Sequence, residues 1–190
     1  MEHFGKEFAK RRSAGAAAIG QAFGLSVAEP ATTGQSSNYR TIRAGGPIII
    51  FTIGYEKRDG EGLTSSLIDV GIELLADIRE KPMSRLPDFR AVALRGFCAD
   101  VGIEYRHWSE LGSTEPLRNH LKDTGDFKHF EIGFRRHVLR HGQTALEELA
   151  AAARRKSTAL LCYERRHEEC HRSTVAEMLA DMLGAGIVAM

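Results

Sequence analysis

The fold class is decided by one stretch of sequence, Ala159-Leu-Leu-Cys-Tyr-Glu164, together with the polar loop Arg165-Arg-His-Glu-Glu-Cys-His-Arg172 and the amphipathic segment that follows over 173–183. An apolar strand runs into a polar loop, and the loop runs into a helix. In open α/β sheets, ligands bind where strands end and helices begin. The sequence therefore predicts a ligand site at this junction.

The same alternation of strand and helix continues through the chain. Short apolar runs predict strands at 48–53, 72–78 and 103–108, in addition to the strand at 158–164. Helical periodicity fills most of the sequence between them. Strands that alternate with helices form mostly parallel sheets covered on both faces. We therefore predict one three-layer, Rossmann-like α/β domain over residues 47–190.

Some local signals predict how individual segments begin or connect. Residues 109–125 are polar and punctuated by glycine and proline, which predicts a long irregular loop. Asp88 is positioned to cap a helix over 89–101. Thr144 and Glu147 match a capping box, which predicts a new helix start.

Composition sets the broad class of protein. A content of 43% hydrophobic and 27% charged residues in 190 residues is typical of a globular protein, and the net charge of +1 does not favour a nucleic-acid or membrane partner. Three cysteines argue against a disulfide framework, and no apolar run reaches the length of a membrane helix. We predict a cytoplasmic protein. Residues 1–46 are predicted to be a flexible extension, with docking of a basic arm as the alternative.

The candidate site residues lie at the carboxyl ends of the predicted strands, because parallel strands bring those ends to one edge. The set comprises Gly54, Tyr55, Asp77, Arg79, His107, Trp108, Cys162, Glu164, Cys170, His171 and Arg172.

Carboxylates and thiols are the candidate catalytic groups. Asp77 and Glu164 follow apolar strands, where burial makes them either proton-exchanging groups or partners of nearby arginines. Cys162 and Cys170, with His171 beside them, are candidate nucleophiles, and the alternative is that the cysteines fill the core.

The same loop contains residue types that bind metals. Cys162, His167, Cys170 and His171 are suitable ligands, but their spacing lacks the paired Cys-x-x-Cys units of structural zinc sites. The spacing therefore argues against a metal, and thiol or metal chemistry at Cys162 and Cys170 stays an alternative.

Two arginines predict binding of an anion. Arg172 lies at the start of a helix, where a cation is unfavourable unless an anion is bound between it and the helix amides. Arg79 is expected to complete this clamp, with local pairing to glutamates as the alternative. Tyr55, His107 and Trp108 offer flat surfaces for a planar group. These features predict an anionic, nucleotide-like ligand and a hydrolase or transferase.

Other functions remain open. The sequence contains neither a Gly-x-Gly-x-x-Gly fingerprint after the first strand nor a Walker phosphate loop, which disfavours a standard dinucleotide or ATP site. The basic N-terminal residues and the basic run at 135–141 suggest the alternative of a non-catalytic module that binds nucleic acid or protein.

Several motifs resemble the domain of unknown function 488 family. They are Thr52-Ile-Gly-Tyr55, Leu75-Ala-Asp-Ile-Arg79, Gly102-Ile-Glu-Tyr-Arg-His-Trp108, Cys162-Tyr-Glu164 and Cys170-His-Arg172. The resemblance spans residues 48–183, and Tyr55 stands where histidine is common in the family. It implies an α/β fold in which these motifs meet at one pocket.

Overall fold

A parallel sheet forms the centre of the protein. The computed structural model describes residues 46–190, so the predicted extension over 1–46 lies almost entirely outside the described residues. Within them, five strands are ordered β3-β2-β4-β1-β5 and every pair is parallel. The strands are β1 (Ile49–Gly54), β2 (Leu74–Asp77), β3 (Glu104–His107), β4 (Thr158–Cys162) and β5 (Gly186–Ala189).

Helices cover both faces of this sheet, which confirms the predicted three-layer α/β class. In the described part of the chain they are α1 (Gly60–Asp69), α2 (Ala91–Asp100), α3 (Glu115–Thr124), α4 (Phe127–His137), α5 (Gln143–Ala153) and α6 (His171–Leu183). None of them is long and apolar enough to cross a membrane.

Alternating side chains of the strands supply two separate cores. Phe51 and Ile53 of β1 pack with the apolar side chains of α1 and α2. Ile50, on the opposite face of the same strand, packs with those of α4, α5 and α6. Because successive side chains in a strand point to opposite faces, a strand covered on both sides needs a continuous apolar run. This requirement explains why the runs at 48–53 and 158–162 do not alternate with polar residues.

The prediction of an irregular loop over 109–125 is wrong for most of that segment. It contains a short 3-10 turn, Ser109–Leu111, and helix α3. Pro116 lies in the first turn of α3, where its missing N–H breaks no helical hydrogen bond, and Gly125 ends the helix with a φ of 68°. Leu117 and Leu121 hold α3 against the core. The proline and glycine that suggested a loop therefore mark the two ends of a helix.

Two predicted helix caps are also wrong. The Asp88 carboxylate accepts a hydrogen bond from the Gly60 backbone N–H at 3.2 Å, so it caps no turn of α2, which begins at Ala91. Thr144 caps nothing, because α4 continues through a π-helical segment, Val138–Gly142, directly into α5. A continuous helix leaves no free N–H groups for a cap to satisfy.

The strand order places a crevice at the carboxyl ends of β1, β2 and β4. From β1 the chain passes β4 to reach β2, whereas from β4 it passes β1 to reach β5. The two connections leave neighbouring strands in opposite directions and lie on opposite faces. Parallel sheets open a ligand-binding crevice at such a switch point.

Candidate functional site

A cavity of about 440 Å³ opens at the switch point of the sheet. Residues that directly follow β1, β2 and β4 form its inner wall, and α3 and α4 supply the outer wall. The residues lining it are Tyr55, Arg79, Glu80, Lys81, Met83, Ser113, Arg118, Leu121, Lys122, Phe130, Cys162, Tyr163, Glu164, Glu169 and His171.

Four polar side chains meet in the wall of this cavity. Ligand-type atoms of Cys162, Glu164, Cys170 and His171 all lie within 4.8 Å of one another. The thiols of Cys162 and Cys170 both donate to Oε2 of Glu164, at 3.1 and 2.9 Å. Nδ1 of His171 lies 3.5 Å from the sulfur of Cys162 and 3.8 Å from that of Cys170. We call these four residues the Cys–Glu–Cys–His cluster.

The imidazole of His171 has a defined orientation in the cluster. Its Nε2 lies 3.1 Å from the backbone carbonyl oxygen of Ile78, and a carbonyl only accepts hydrogen bonds. Nε2 therefore carries a proton and Nδ1 has the free lone pair, and Nε2 also lies 3.8 Å from the sulfur of Cys162. Phe134 packs its ring edge-on to the imidazole, with 5.3 Å between ring centroids.

Burial and mutual contacts shift the proton affinities of the cluster. Burial raises the pKa of Cys162 and raises that of Cys170 strongly, so both are thiols at neutral pH. Burial would also raise the pKa of Glu164, but the hydrogen bonds from Cys170 and Cys162 outweigh it and lower the pKa. Burial opposes the imidazolium of His171, yet Cys170 and Glu164 raise its pKa. Free thiolates, which nucleophilic catalysis needs, are therefore disfavoured at neutral pH.

The backbone that carries Glu164 is held on two sides. Below it, Gly54 leaves room for the Glu164 carbonyl, since a Cβ at Gly54 would lie 1.8 Å from that oxygen. From the helix side, the guanidinium of Arg172 donates to the carbonyl oxygens of Glu164 and Arg165, the latter at 3.0 Å. Arg172 is 1% exposed. Gly54 and Arg172, both predicted to contact a ligand, thus position the loop that contains Glu164.

The predicted anion clamp of Arg79 and Arg172 is not assembled. Arg79 lines the cavity, whereas Arg172 is not among the lining residues. The Arg79 guanidinium forms a two-pronged ion pair with Asp77, at 2.8 Å to Oδ1 and 2.5 Å to Oδ2, and also donates to the Tyr55 hydroxyl at 3.1 Å. Asp77 keeps the pKa of Arg79 raised despite burial, which acts to lower it. The positive charge of Arg79 is therefore already compensated.

Asp77 is enclosed by its hydrogen-bond partners. Besides Arg79, it accepts a hydrogen bond from the hydroxyl of Tyr105 at 2.6 Å, and its side chain has no exposed surface. Burial, followed by the charge of Asp77, raises the pKa of Tyr105. Asp77 is not among the residues that line the cavity. This geometry matches the structural alternative, in which Asp77 is the partner of a nearby arginine.

His107 and Trp108 lie behind the cavity wall. Nε2 of His107 is 2.7 Å from the backbone carbonyl oxygen of Arg79, and it supports the loop after β2. Trp108 is 4% exposed and belongs to the core, with Arg106 over its ring at 4.7 Å. Neither residue is in the cavity lining. Their contact with a planar ligand stays a prediction, and their position outside the cavity lining does not support it.

The residues predicted to bind a metal or a nucleic acid do not all lie in the cluster. Nδ1 of His167, a predicted metal ligand, lies 2.9 Å from the hydroxyl of Thr52, and His167 is not part of the cluster. The fourth member of the cluster is Glu164 instead. In the basic run at 135–141, Arg135 pairs with Glu177 at 2.8 Å. Binding of nucleic acid or protein by this run stays a prediction.

Sequence reasoning missed the outer wall of the cavity. Ser113, Arg118 and Lys122 lie on or just before α3, the segment predicted to be an irregular loop. Lys81 follows β2 in the proline-punctuated stretch. The spacing of Leu117 and Leu121 was the available signal for α3, because apolar residues four apart share one helix face.

The fold and the cavity define a parallel α/β protein whose candidate site lies where strands end and helices begin. A family model described as Domain of unknown function DUF488 matches residues 61–179. The chain belongs to this family, which confirms the resemblance of its motifs. The match includes the whole Cys–Glu–Cys–His cluster but not Tyr55. No curated protein and no solved structure matches the chain.

Proposed function

We propose that this protein binds a small anionic ligand with a planar, nucleotide-like group in the cavity, and hydrolyses or transfers a group on it. The observation that carries the proposal is the cavity itself, which opens at the switch point of a parallel sheet and has lysines at its mouth. Ligands of α/β proteins bind at this place in the fold.

Two lysines, and not the predicted arginines, are the anion-binding groups of the proposal. Arg79 is paired with Asp77, and Arg118 is paired with Glu80 at 2.8 Å. Lys81 and Lys122 line the cavity, are exposed, and have no ion-pair partner among residues 46–190. Unpaired ammonium groups at the mouth of a cavity attract anions by direct Coulomb interaction.

Aromatic side chains support a planar group on the ligand. Tyr55 is buried and stacks on Phe89, with 4.3 Å between centroids. Tyr163 packs edge-on against Tyr55 at 5.4 Å and stays 49% exposed at the cavity. An exposed aromatic face beside cationic groups suits a heteroaromatic ring that carries a negatively charged substituent.

The reaction is placed at the wall formed by Cys162, Glu164 and His171. These residues line the cavity and come from the end of β4 and the start of α6. Their thiol, carboxylate and imidazole groups are the types that take part in proton transfer or bind a metal that does so. Asp77 is left out of this role because its oxygens are enclosed.

Ligand binding can be tested with AMP, adenosine and inorganic phosphate as probes in thermal-shift and calorimetric titrations. We expect AMP to raise Tm, and the double variant Lys81→Ala/Lys122→Ala to bind it at least tenfold more weakly. Lys128→Ala is the matched control, since Lys128 is an exposed lysine of α4 outside the cavity lining. Adenosine separates the contribution of the ring from that of the phosphate. Equal AMP binding by wild type and the double variant would contradict the proposal.

A further inference from the structure

We propose that the Cys–Glu–Cys–His cluster binds one Zn²⁺ ion through the two sulfurs of Cys162 and Cys170, one carboxylate oxygen of Glu164 and Nδ1 of His171. This inference goes beyond the proposed function, because zinc binding requires neither the lysines nor an anionic ligand. Thiolate, imidazole and carboxylate are the ligand types that Zn²⁺ prefers in proteins, and four ligands complete its usual tetrahedron.

The sulfur–nitrogen distances in the cluster fit the size of that tetrahedron, and all four ligand-type atoms lie within 4.8 Å of one another. Zn–S bonds of about 2.3 Å and Zn–N bonds of about 2.0 Å place a sulfur and a nitrogen about 3.5 Å apart at tetrahedral angles. The two sulfurs lie 3.5 and 3.8 Å from Nδ1 of His171. The sulfur–oxygen distances of 3.1 and 2.9 Å are shorter, as hydrogen bonds require, so Glu164 has to retreat by only about 0.5 Å for the metal.

The tautomer of His171 already suits a metal ligand. A histidine that binds a metal through one ring nitrogen commonly donates the other N–H to a carbonyl or carboxylate, which fixes its tautomer. In this protein the Ile78 carbonyl oxygen lies 3.1 Å from Nε2, so Nδ1 is the nitrogen left free to bind a metal, and it lies 3.5 Å from the sulfur of Cys162 and 3.8 Å from that of Cys170. Because the sulfur of Cys162 also lies 3.8 Å from Nε2, a small rotation of the ring would aim the lone pair of Nδ1 at the metal.

The surrounding backbone fixes the other ligands. Arg172 holds the carbonyl groups of Glu164 and Arg165, and Gly54 allows the close approach of the Glu164 backbone. Cys170 precedes the first turn of α6, and its sulfur accepts from the Arg172 backbone N–H at 3.5 Å. Amides at a helix N-terminus stabilise a thiolate. Four ligands are thus held in place by rigid elements, as a metal site requires.

The charge of the cluster favours a cation. Among the ion pairs of the described residues none involves the carboxylate of Glu164, although it lies in a largely buried site. In the metal-free protein this carboxylate is held by the two thiol hydrogen bonds, which direct coordination to Zn²⁺ would replace. When Zn²⁺ binds, each of the two thiols releases its proton to solvent and becomes a thiolate ligand. Two thiolates, one carboxylate and Zn²⁺ leave one negative charge, which faces the N-terminus of α6.

Three of the four ligands also line the cavity, namely Cys162, Glu164 and His171. The ion therefore lies in the cavity wall and is not sealed in the core. A metal in that position is within reach of a molecule bound in the cavity and so of the proposed reaction. Zinc binding itself does not require that reaction.

The test uses the full chain, treated with a chelator under reducing conditions and titrated separately with Zn²⁺ and Co²⁺. We expect one ion per chain, a higher Tm with Zn²⁺, and an intense visible spectrum of tetrahedral, thiolate-bound Co²⁺. Cys162→Ser and Cys170→Ser are expected to weaken Zn²⁺ binding at least 100-fold. Cys98→Ala is the matched control and should bind like wild type, because Cys98 is a buried cysteine of α2 outside the cluster.

Three outcomes would overturn the zinc site. They are the absence of stoichiometric binding by reduced wild type, a Co²⁺ spectrum without thiolate bands, and equal affinity in Cys170→Ser and wild type. Glu164→Gln keeps the shape of the side chain and tests the site if a cysteine variant fails to fold. The Lys81→Ala/Lys122→Ala variant should retain full Zn²⁺ affinity, so failure of the anion proposal and failure of the zinc site are distinguishable.

Discussion

The backbone carbonyl oxygen of Glu164 lies so close to Gly54 that a Cβ at position 54 would be 1.8 Å from it. The contact joins the end of β1 to the loop after β4, and this loop carries Glu164 into the cluster. A Cβ at that distance cannot be accommodated unless the backbone moves.

Gly54→Ala should therefore destabilise the protein and displace Glu164. Overpacking costs about 1–3 kcal/mol, which chemical unfolding will measure, and Zn²⁺ affinity should fall with it. Gly96→Ala is the control, because a Cβ at Gly96 in α2 meets no atom within 4 Å. If both variants unfold at the same denaturant concentration, the close contact has no energetic role.

Asp77→Asn should be among the most damaging single changes near the site. It leaves the buried guanidinium of Arg79 without a counter-charge, and breaking a buried ion pair costs about 3–5 kcal/mol. The exposed pair of Lys156 and Glu104 provides the comparison, since Glu104→Gln should cost less than about 1 kcal/mol. Urea unfolding of both variants measures the difference. Similar losses would show that the Asp77–Arg79 pair is replaceable.

Arg172→Ala should lower stability and also weaken metal binding, although the guanidinium of Arg172 donates to backbone carbonyls and to no proposed ligand atom. The change removes donors from two carbonyl groups of the Glu164 loop, and an unpaired buried polar group costs about 1–3 kcal/mol. Co²⁺ titration and thermal unfolding are the measurements. Arg166→Ala, in which an exposed pair with Glu169 is lost, should change neither quantity. If Arg172 formed the anion clamp predicted from the sequence, Arg172→Ala would also weaken AMP binding, so the affinity for AMP is measured in the same variant.

The lowered pKa of Glu164 predicts how stability of the metal-free protein depends on acid. A carboxyl group whose pKa is lower in the folded protein than its ordinary value of 4.5 adds stability above that value. This contribution is lost as the pH falls below 4.5 and through the folded-state pKa. Tm of wild type should therefore fall more steeply than that of Glu164→Gln in this range. Parallel curves would mean that the thiol hydrogen bonds do not stabilise the carboxylate.

Much of the fold could be predicted because local patterns carried it. The apolar runs at 48–53 and 158–164 predicted the strands β1 and β4, and both strands are buried in the structure. The predictions of a loop in place of α3 and of a helix cap at Asp88 were wrong for one reason. Pro116, Gly125 and Asp88 allow more than one local structure, and contacts with distant parts of the chain select among them.

The candidate site could be located from the sequence but its internal arrangement could not. The prediction that the strand ends meet at one edge of a parallel sheet is confirmed, because parallel topology follows from the alternation of strands and helices. Which side chains face the cavity depends on how the loops after the strands pack against the helices. Arg172 and Trp108 turn into the protein, whereas Lys81 and Lys122 reach the cavity mouth from segments without a recognisable motif.

The amino-acid sequence by itself determined that this chain forms a parallel α/β sheet with polar residues at its carboxyl edge, since hydrophobic periodicity acts over neighbouring residues. The tertiary structure alone decided that Cys162, Glu164, Cys170 and His171 form one cluster, and that Asp77 and Arg79 neutralise each other. Such groupings depend on distances of a few ångströms between separate segments. Those distances are set by how the layers pack, and spacing along the chain does not encode them.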